Sequence, residues 1–466
     1  MNMQRQGNGI QGRVAAAFGD VSPALLWRLI WPQLATMLCT MALGLTDMWV
    51  GGRIGADVQA SLGMSGQLLH FYMVIGAALG AGGMAAVSQS MGAARADRAA
   101  YYCALILALA VSFGVLIAAC GWIFRSPILS AMRVPDAITG QTRYYYCVIL
   151  AVLPAQYVMN VGATLFRASS NVMAPLLVVA AVSLANMAGD LVFGLGLFGM
   201  PRFGGCGIIW STFASLCMGA SLTVVLLRRG GLLARFALPP MRWTRAALPY
   251  LVKVAVPALI SQVLWQFGYL VLFGIVGSLG VDAIAGMTAG LRIESLLYMP
   301  AVAFNVTASI LVGNRLGAGD DRGASRAGRL IVILGVAAMS LAGLAMWPFR
   351  WPLAEAFSES AAVRELIAWY LFFNILCVPF TVGGMIYVGI MTGAGATRFV
   401  FMIQGGSVWL IRLPVAWLFA HPAGFGAPGV FGAMLASSAV QFAVFTVMFA
   451  RGGWTRHSMR NTTKRR

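Results

Sequence analysis

Three acidic residues, Asp47, Asp190 and Glu294, lie within stretches that are otherwise apolar over about 20 residues or more. A charge near a bilayer centre costs roughly 2.5–3.5 kcal/mol on insertion scales, so acids placed there are candidates for function. Asn186 precedes Asp190 by one helical turn and shares its face. Carboxylate and amide oxygens together on an apolar helix suit the uptake of a proton or a hard cation. That chemistry is reversible ion binding, and it fits a chain that moves a solute across a membrane.

The elements that must position these residues follow from composition. The chain has 466 residues, of which 60% are hydrophobic and 10% charged, with a mean hydropathy of +0.83. Those values exclude a soluble domain. Twelve apolar runs are long enough to span a hydrocarbon core, near 25–50, 58–88, 100–124, 143–165, 172–198, 205–227, 248–279, 283–313, 327–349, 363–391, 398–420 and 427–450. Ten or eleven spans with one or two re-entrant segments are the alternative. The expected fold is an all-α integral membrane protein.

A net charge of +19 would suggest nucleic acid in a soluble protein, but the positions of the charges decide otherwise. Arg5 and Arg13 precede the first span, and Arg95 and Arg98 follow the second. Arg228, Arg229, Arg235, Arg242 and Arg245 crowd the connection after the sixth. Arg451, Arg456, Arg460, Lys464, Arg465 and Arg466 crowd the tail. With twelve spans all of these fall on one side, which the positive-inside rule makes cytoplasmic, together with both termini. Arg125, Arg133 and Arg143 run against that rule. The first span is read as an uncleaved anchor, and the chain as a multi-pass protein of the cell membrane.

Other chemistry finds little support. The seven cysteines fall within apolar runs without a CxxC pair, and the three histidines lack zinc-ligand spacing, so no metal site or cofactor is expected. Neither Lys253 nor Lys464 follows a GxxxxG run, so there is no phosphate-binding loop for ATP.

Sliding the chain against itself by 225 residues brings its punctuation into register. Pro32 meets Pro257, Val87 meets Val312, Gly92-Ala93 meets Gly317-Ala318, and Gly204 and Gly207 meet Gly429 and Gly432. Six spans per copy is an even number, so two six-helix lobes should be related by an axis along the membrane normal, with a substrate site between them. The expected organisation is a cytoplasmic segment (1–24), a first lobe (25–227), a linker (228–246) containing Pro239-Pro240, a second lobe (247–450) and a basic tail (451–466). The copies differ where chemistry is expected: Asp47 corresponds to Leu272, Asn186 to Ile411, Asp190 to Val415, and Glu294 to Leu69. That asymmetry points to function, since a purely architectural role would recur in both copies.

These residues resemble the multidrug and toxic compound extrusion (MATE) transporters over nearly the whole chain. The resemblance is carried by Pro32 followed by Asp47 in GLTDMWVGG, the loop SQSMGAARADRA, the segment 291–320 (LRIESLLYMPAVAFNVTASILVGNRLGAGD), TGAGAT (392–397) and RLPVAWL (412–418). It implies twelve helices in two lobes with a V-shaped central cavity and cation-coupled drug export. Asp47 falls on the family's first-helix carboxylate, Asn186 and Asp190 on its helix-five N-x-x-x-D pair, and Thr212 on a helix-six hydroxyl. This cation site resembles that of the DinF-like branch. The NorM-like branch carries further acids in helices seven and ten, where this chain has SQVLWQF and VPFTVGG.

Around this site, Gln67, Tyr157, Asn160, Gln262, Gln266, Arg292 and Glu294 are candidates for the substrate cavity. Polar residues within helices more often bond neighbouring helices. Arg412 is expected to snorkel or cap, without a transport role. The resulting expectation is a monomeric antiporter, not an enzyme, that exports organic cations in exchange for H+ or Na+. Its partners are a small-molecule substrate and the lipid bilayer, not nucleic acid. A lipid-linked-substrate flippase and a polytopic membrane enzyme are the alternatives.

Overall fold

The computed structural model describes residues 22–132, 134–233 and 239–459, with only the backbone at Phe198. The expectations for Arg5, Arg13, Arg133, Arg235, Arg460, Lys464, Arg465 and Arg466 lie outside the described residues. Among the described residues, twelve helices are long and apolar enough to cross a membrane. We number them α1 (Pro23–Ile54), α2 (Ala56–Gly92), α3 (Ala96–Ile123), α4 (Asp136–Ala168), α5 (Met173–Gly194), α6 (Gly205–Arg229), α7 (Met241–Gly277), α8 (Val281–Ala318), α9 (Asp321–Phe357), α10 (Ala361–Ala394), α11 (Thr397–Ala420) and α12 (Gly426–Ala450). No strand occurs among the described residues. Each helix satisfies its own backbone, which is what hydrocarbon demands.

The repeat is written into the helix boundaries. Ala56 and Val281, Ala96 and Asp321, and Asp136 and Ala361 begin matched helices, each pair 225 residues apart. By packing, the chain divides into two compact units. The first gathers Trp31–Met91 and Arg95–Leu251; the second gathers Gly92–Ala94, the chain from Val252 and the start of α1 up to Ile30.

Within the first unit α4 packs on both α3 and α6, and α5 on α6. Small residues permit these approaches: a side chain at Gly114 of α3 would stand 2.7 Å from the Cα of Pro154 in α4. In the second unit α10 packs against α8, α9 and α12. The helices continue beyond the hydrocarbon windows read from sequence. α7 starts at Met241 rather than near 248, so that the helix includes the flanking residues Arg242, Thr244 and Arg245 ahead of the apolar run. Gly319 (φ 84°) and Gly395 (φ 75°) close α8 and α10 in the left-handed conformation, which side chains resist.

Candidate functional site

The fifth helix of each copy is not a continuous α-helix. In α5 the α-helical part ends at Gly189, and Asp190–Gly194 forms a π turn. The Leu195 N–H donates to the Asp190 carbonyl, five residues back, at 3.3 Å. Such wide turns open the backbone locally and are enriched at functional sites. Asp190, the first residue of the turn, is fully buried, as is Asn186 one turn earlier.

Two glycines seat α6 against this turn. A Cβ on Gly207 would run into the backbone at Phe193 and Gly194, and one on Gly189 would run into Ser211. Their absence of side chains brings Ser211 and Thr212 onto the Asn186–Asp190 face. The Ser211 hydroxyl donates to the Asn186 carbonyl oxygen at 2.9 Å and stands within hydrogen-bonding reach of the Asp190 carboxyl. A small apolar cluster of Val50, Val58 and Ile208, with Ile54, Leu191 and Leu195, clamps α1, α2, α5 and α6 beside the site.

Asp47 enters from α1, half-buried. Its carboxyl lies within hydrogen-bonding reach of that of Asp190. The Asn186 amide bridges to the third helix: oriented so that both ends find partners, Nδ2 donates to Asp47 Oδ1 at 2.9 Å and Oδ1 faces Thr212 Oγ1 at 3.1 Å. Thr212 has one hydroxyl proton, which goes either to Asn186 or to the Ile208 carbonyl oxygen at 3.0 Å. Asp190 Oδ1 is buried without a hydrogen-bond partner. The four residues Asp47, Asn186, Asp190 and Thr212 thus converge from three helices within one unit. Among the described residues no group of three or more His, Cys, Asp or Glu side chains could hold a metal.

A cavity of about 210 Å³ in the same unit is lined by Thr36 and Thr40 of α1, Gln156, Asn160 and Arg167 of α4, and Ser183 of α5, among others. Asn160 is therefore a cavity residue, and its Nδ2 donates to the Gln156 carbonyl at 3.0 Å. Tyr157 is not. It is fully buried and its hydroxyl donates to the Tyr72 carbonyl at 2.5 Å, a helix-to-helix bond. Gln67, Gln262, Gln266 and Arg292 are exposed on their helices, and Glu294 is half-buried in the second unit.

Arg412 corrects its expectation. It is 4% exposed, and it neither snorkels nor caps. Nε donates to Ser437 Oγ at 2.9 Å and Nη2 to Ser438 Oγ at 3.2 Å, while the guanidinium lies 5.1 Å from the Trp265 ring centre. Sequence reasoning also missed Ser211 and the π turns. The spacing of Ser211 from Gly207, one turn along α6, was the available signal.

Twelve spanning helices in two matched copies, with paired carboxyls inside one of them, define a polytopic membrane transporter rather than a soluble catalyst. The MatE family model matches residues 32–192 and 257–418, once in each copy, and the chain belongs to this family of multidrug-efflux transporters. It is 24% identical over 442 residues to a probable multidrug resistance protein NorM of Thermotoga maritima, covering 93% of each chain. The corresponding protein of Burkholderia mallei is 27% identical over 440 residues, covering 91% of this chain and 92% of that one. The fold is similar to that of the Vibrio cholerae MATE transporter VcmN in its bent form, with a TM-score of 0.84 at 20% identity over 95% of this chain and 98% of that one. A MOP superfamily transporter from Pyrococcus furiosus gives a TM-score of 0.82 at 19% identity, covering 95% and 98%.

Proposed function

We propose that this chain is a secondary antiporter that exports organic, mainly cationic, small molecules in exchange for protons, with coupling at Asp47 and Asp190. One observation carries the reading: two carboxyls within hydrogen-bonding reach of each other, one of them fully buried. A carboxylate only accepts hydrogen bonds, so a bond between the two requires that one be protonated. The pair therefore holds one proton and a single negative charge when idle, and carries two negative charges when it loses that proton. Asn186 favours H+ over Na+ as the coupling ion. Its amide N–H faces Asp47 and its oxygen faces Thr212, so a metal ion between the acids would forgo that oxygen as a ligand.

The cycle follows from charge. The deprotonated pair attracts an organic cation from the cytoplasm; a proton arriving from outside halves the charge of the pair and displaces the cation outward. The cavity around Asn160, apolar over most of its lining with a few polar groups, is the substrate's place in this lobe. At about 210 Å³ it is smaller than the roughly 300 Å³ or more that a drug-sized ligand needs, so binding must widen it. The neutral stretches SQVLWQF of α7 and VPFTVGG of α10 support the DinF-like branch, and the basic connections support a cytoplasmic position for both termini.

Proteoliposomes with a fluorescent cationic dye test this, with ΔpH and Na+ gradients imposed separately. We expect ΔpH alone to drive transport in the wild type, and neither gradient to do so in Asp190→Asn or Asp47→Asn. Undiminished transport in folded variants would contradict the coupling assignment. A wild type that moves no dye under either gradient would favour a different cargo, such as a lipid-linked one.

A further inference from the structure

One face of α4 opens onto a groove that the transport cycle leaves unused. Gly140, Arg143, Cys147 and Ala151, spaced three, four and four residues apart, share that face. With Trp122 of α3 and Trp210 and Phe213 of α6 they line a cleft of about 460 Å³. All three helices belong to the first unit. The volume lies within the roughly 300–1,000 Å³ of small-molecule sites. Among the described residues that line it, Arg143 alone carries a charge. Small residues leave the floor open: a Cβ on Gly140 would meet nothing within 4 Å, and Ala151 is exposed. From Arg143 to Ala151 the groove runs about 12 Å along the helix.

The mouth of the groove has the character of a membrane interface. Arg143 stands two turns inside the start of α4 at Asp136, Trp122 is next to the last residue of α3, and Trp210 is in the second turn of α6. Trp122, Tyr144 and Trp210 are each about half exposed, and Trp and Tyr at helix ends mark headgroup level. The Trp210 indole N–H donates to the Tyr144 hydroxyl at 2.7 Å, and its ring meets Phe213 edge-on at 5.2 Å, which fixes that wall. Arg125, just past α3, holds the other wall: Nη1 donates to the Trp122 carbonyl at 2.8 Å, and the guanidinium lies 5.2 Å from the Trp122 ring centre. Arg143 is exposed. Among the described residues the ion pair within 4.0 Å is Arg315–Asp320, so neither Asp136 nor any other carboxylate there neutralises Arg143. Arg125 and Arg143 are also two of the arginines that run against the positive-inside pattern.

We propose that this groove holds one anionic phospholipid, with its phosphate on Arg143 and an acyl chain along Cys147 and Ala151. The guanidinium presents a planar fork of donors that matches phosphate oxygens, and the walls below it are apolar. Charge selects the headgroup. A choline or ethanolamine group would bring a second cation beside Arg143 and Arg125, and the Trp122 face that could hold it already carries Arg125. A headgroup with net negative charge meets no such conflict, and basic clefts between spanning helices bind lipid headgroups on this principle. The lipid gives Arg143 the counter-charge that the protein does not. The site stands independently of the Asp47–Asp190 reading.

Native mass spectrometry of delipidated protein offered equal amounts of phosphatidylglycerol and phosphatidylcholine tests this. We expect the wild type to retain one phosphatidylglycerol in preference to phosphatidylcholine. Arg143→Gln should lower that preference about fivefold, the weight of one basic residue at an anionic headgroup. Ala151→Phe keeps Arg143 but fills the groove, and it should lose the lipid. Glycerol phosphate, a headgroup without chains, should not compete. Equal retention of the two lipids by the wild type would overturn the proposal, as would displacement by glycerol phosphate, an unchanged preference in Arg143→Gln or full retention in Ala151→Phe. A wild-type dimer that Ala151→Phe separates would overturn it too, by assigning the groove to a second copy. Both substituted side chains are exposed, and the first two of these readings come from the wild type, so a poorly folding variant does not blunt the test.

Discussion

Asp190 and Asp47, the proposed coupling pair, differ in burial and in partners. Asp190 is fully buried on a backbone turn held by α6, whereas Asp47 is half-buried and reaches both Asp190 and the Asn186 amide. We expect Asp190→Asn to lower ΔpH-driven dye transport at least tenfold, a loss of about 1.4 kcal/mol or more, at unchanged expression. Thr212 gives Asn186 one neutral contact of the kind worth roughly 0.6–2 kcal/mol in membranes. Thr212→Ala should therefore weaken transport without abolishing it, and Thr212→Ser should restore it; equal loss in both would remove the hydroxyl from the account. The acids and Asn186 were legible in the sequence because an intramembrane charge and a one-turn spacing are visible without coordinates. Ser211 and Arg412 were not. Helical periodicity does not say which face of a helix its neighbours cover, and Arg412 is held by serines on a different helix.

The elements carry the site through close approach. Gly207→Ala would push the start of α6 off the π turn, because its Cβ meets backbone atoms of Phe193 and Gly194. Overpacking of this kind typically costs about 1–3 kcal/mol, and it would also move Ser211 and Thr212. We expect a lowered thermal midpoint and lost transport. Gly432→Ala, the matched position in the second copy, should be tolerated, since its Cβ would meet Phe373 only at 3.6 Å. A second element-level expectation concerns the short helix Gly453–His457 after α12, whose Trp454 is fully buried and stacks on Phe449. Burial, and then the charges of Lys253 and Arg398, hold the His457 pKa below its ordinary 6.5. The fold thus favours the neutral imidazole. Its contribution is present above the unfolded pKa and is lost as pH falls through the lower folded value. The resonance of fluorotryptophan at Trp454 should change on acidification, and in His457→Phe it should not. The twelve helices were readable from apolar length, but the π turns were not, because one extra residue in a turn leaves the apolar pattern nearly intact.

For the whole molecule, the number of protons sets the driving force. One proton exchanged for one monovalent cation moves no net charge, so only the pH difference acts. A second proton per turnover would make the exchange electrogenic, worth roughly 2.3 kcal/mol at 100 mV, or about a fifty-fold steeper substrate gradient. A potassium diffusion potential should accordingly leave export of a monovalent cation by the wild type unchanged. The repeat was legible at this scale because prolines and glycines kept one offset, and the MatE match falls once in each copy. The account's central claim is that substrate and proton compete for the Asp47–Asp190 pair. The measurement that tests it most directly is proton release from purified protein in weakly buffered detergent as a cationic dye is added. The account predicts release in step with dye binding in the wild type, and binding without proton release from the pair in Asp190→Asn. Dye binding to the wild type with no proton released at any pH from 5 to 8 would contradict it.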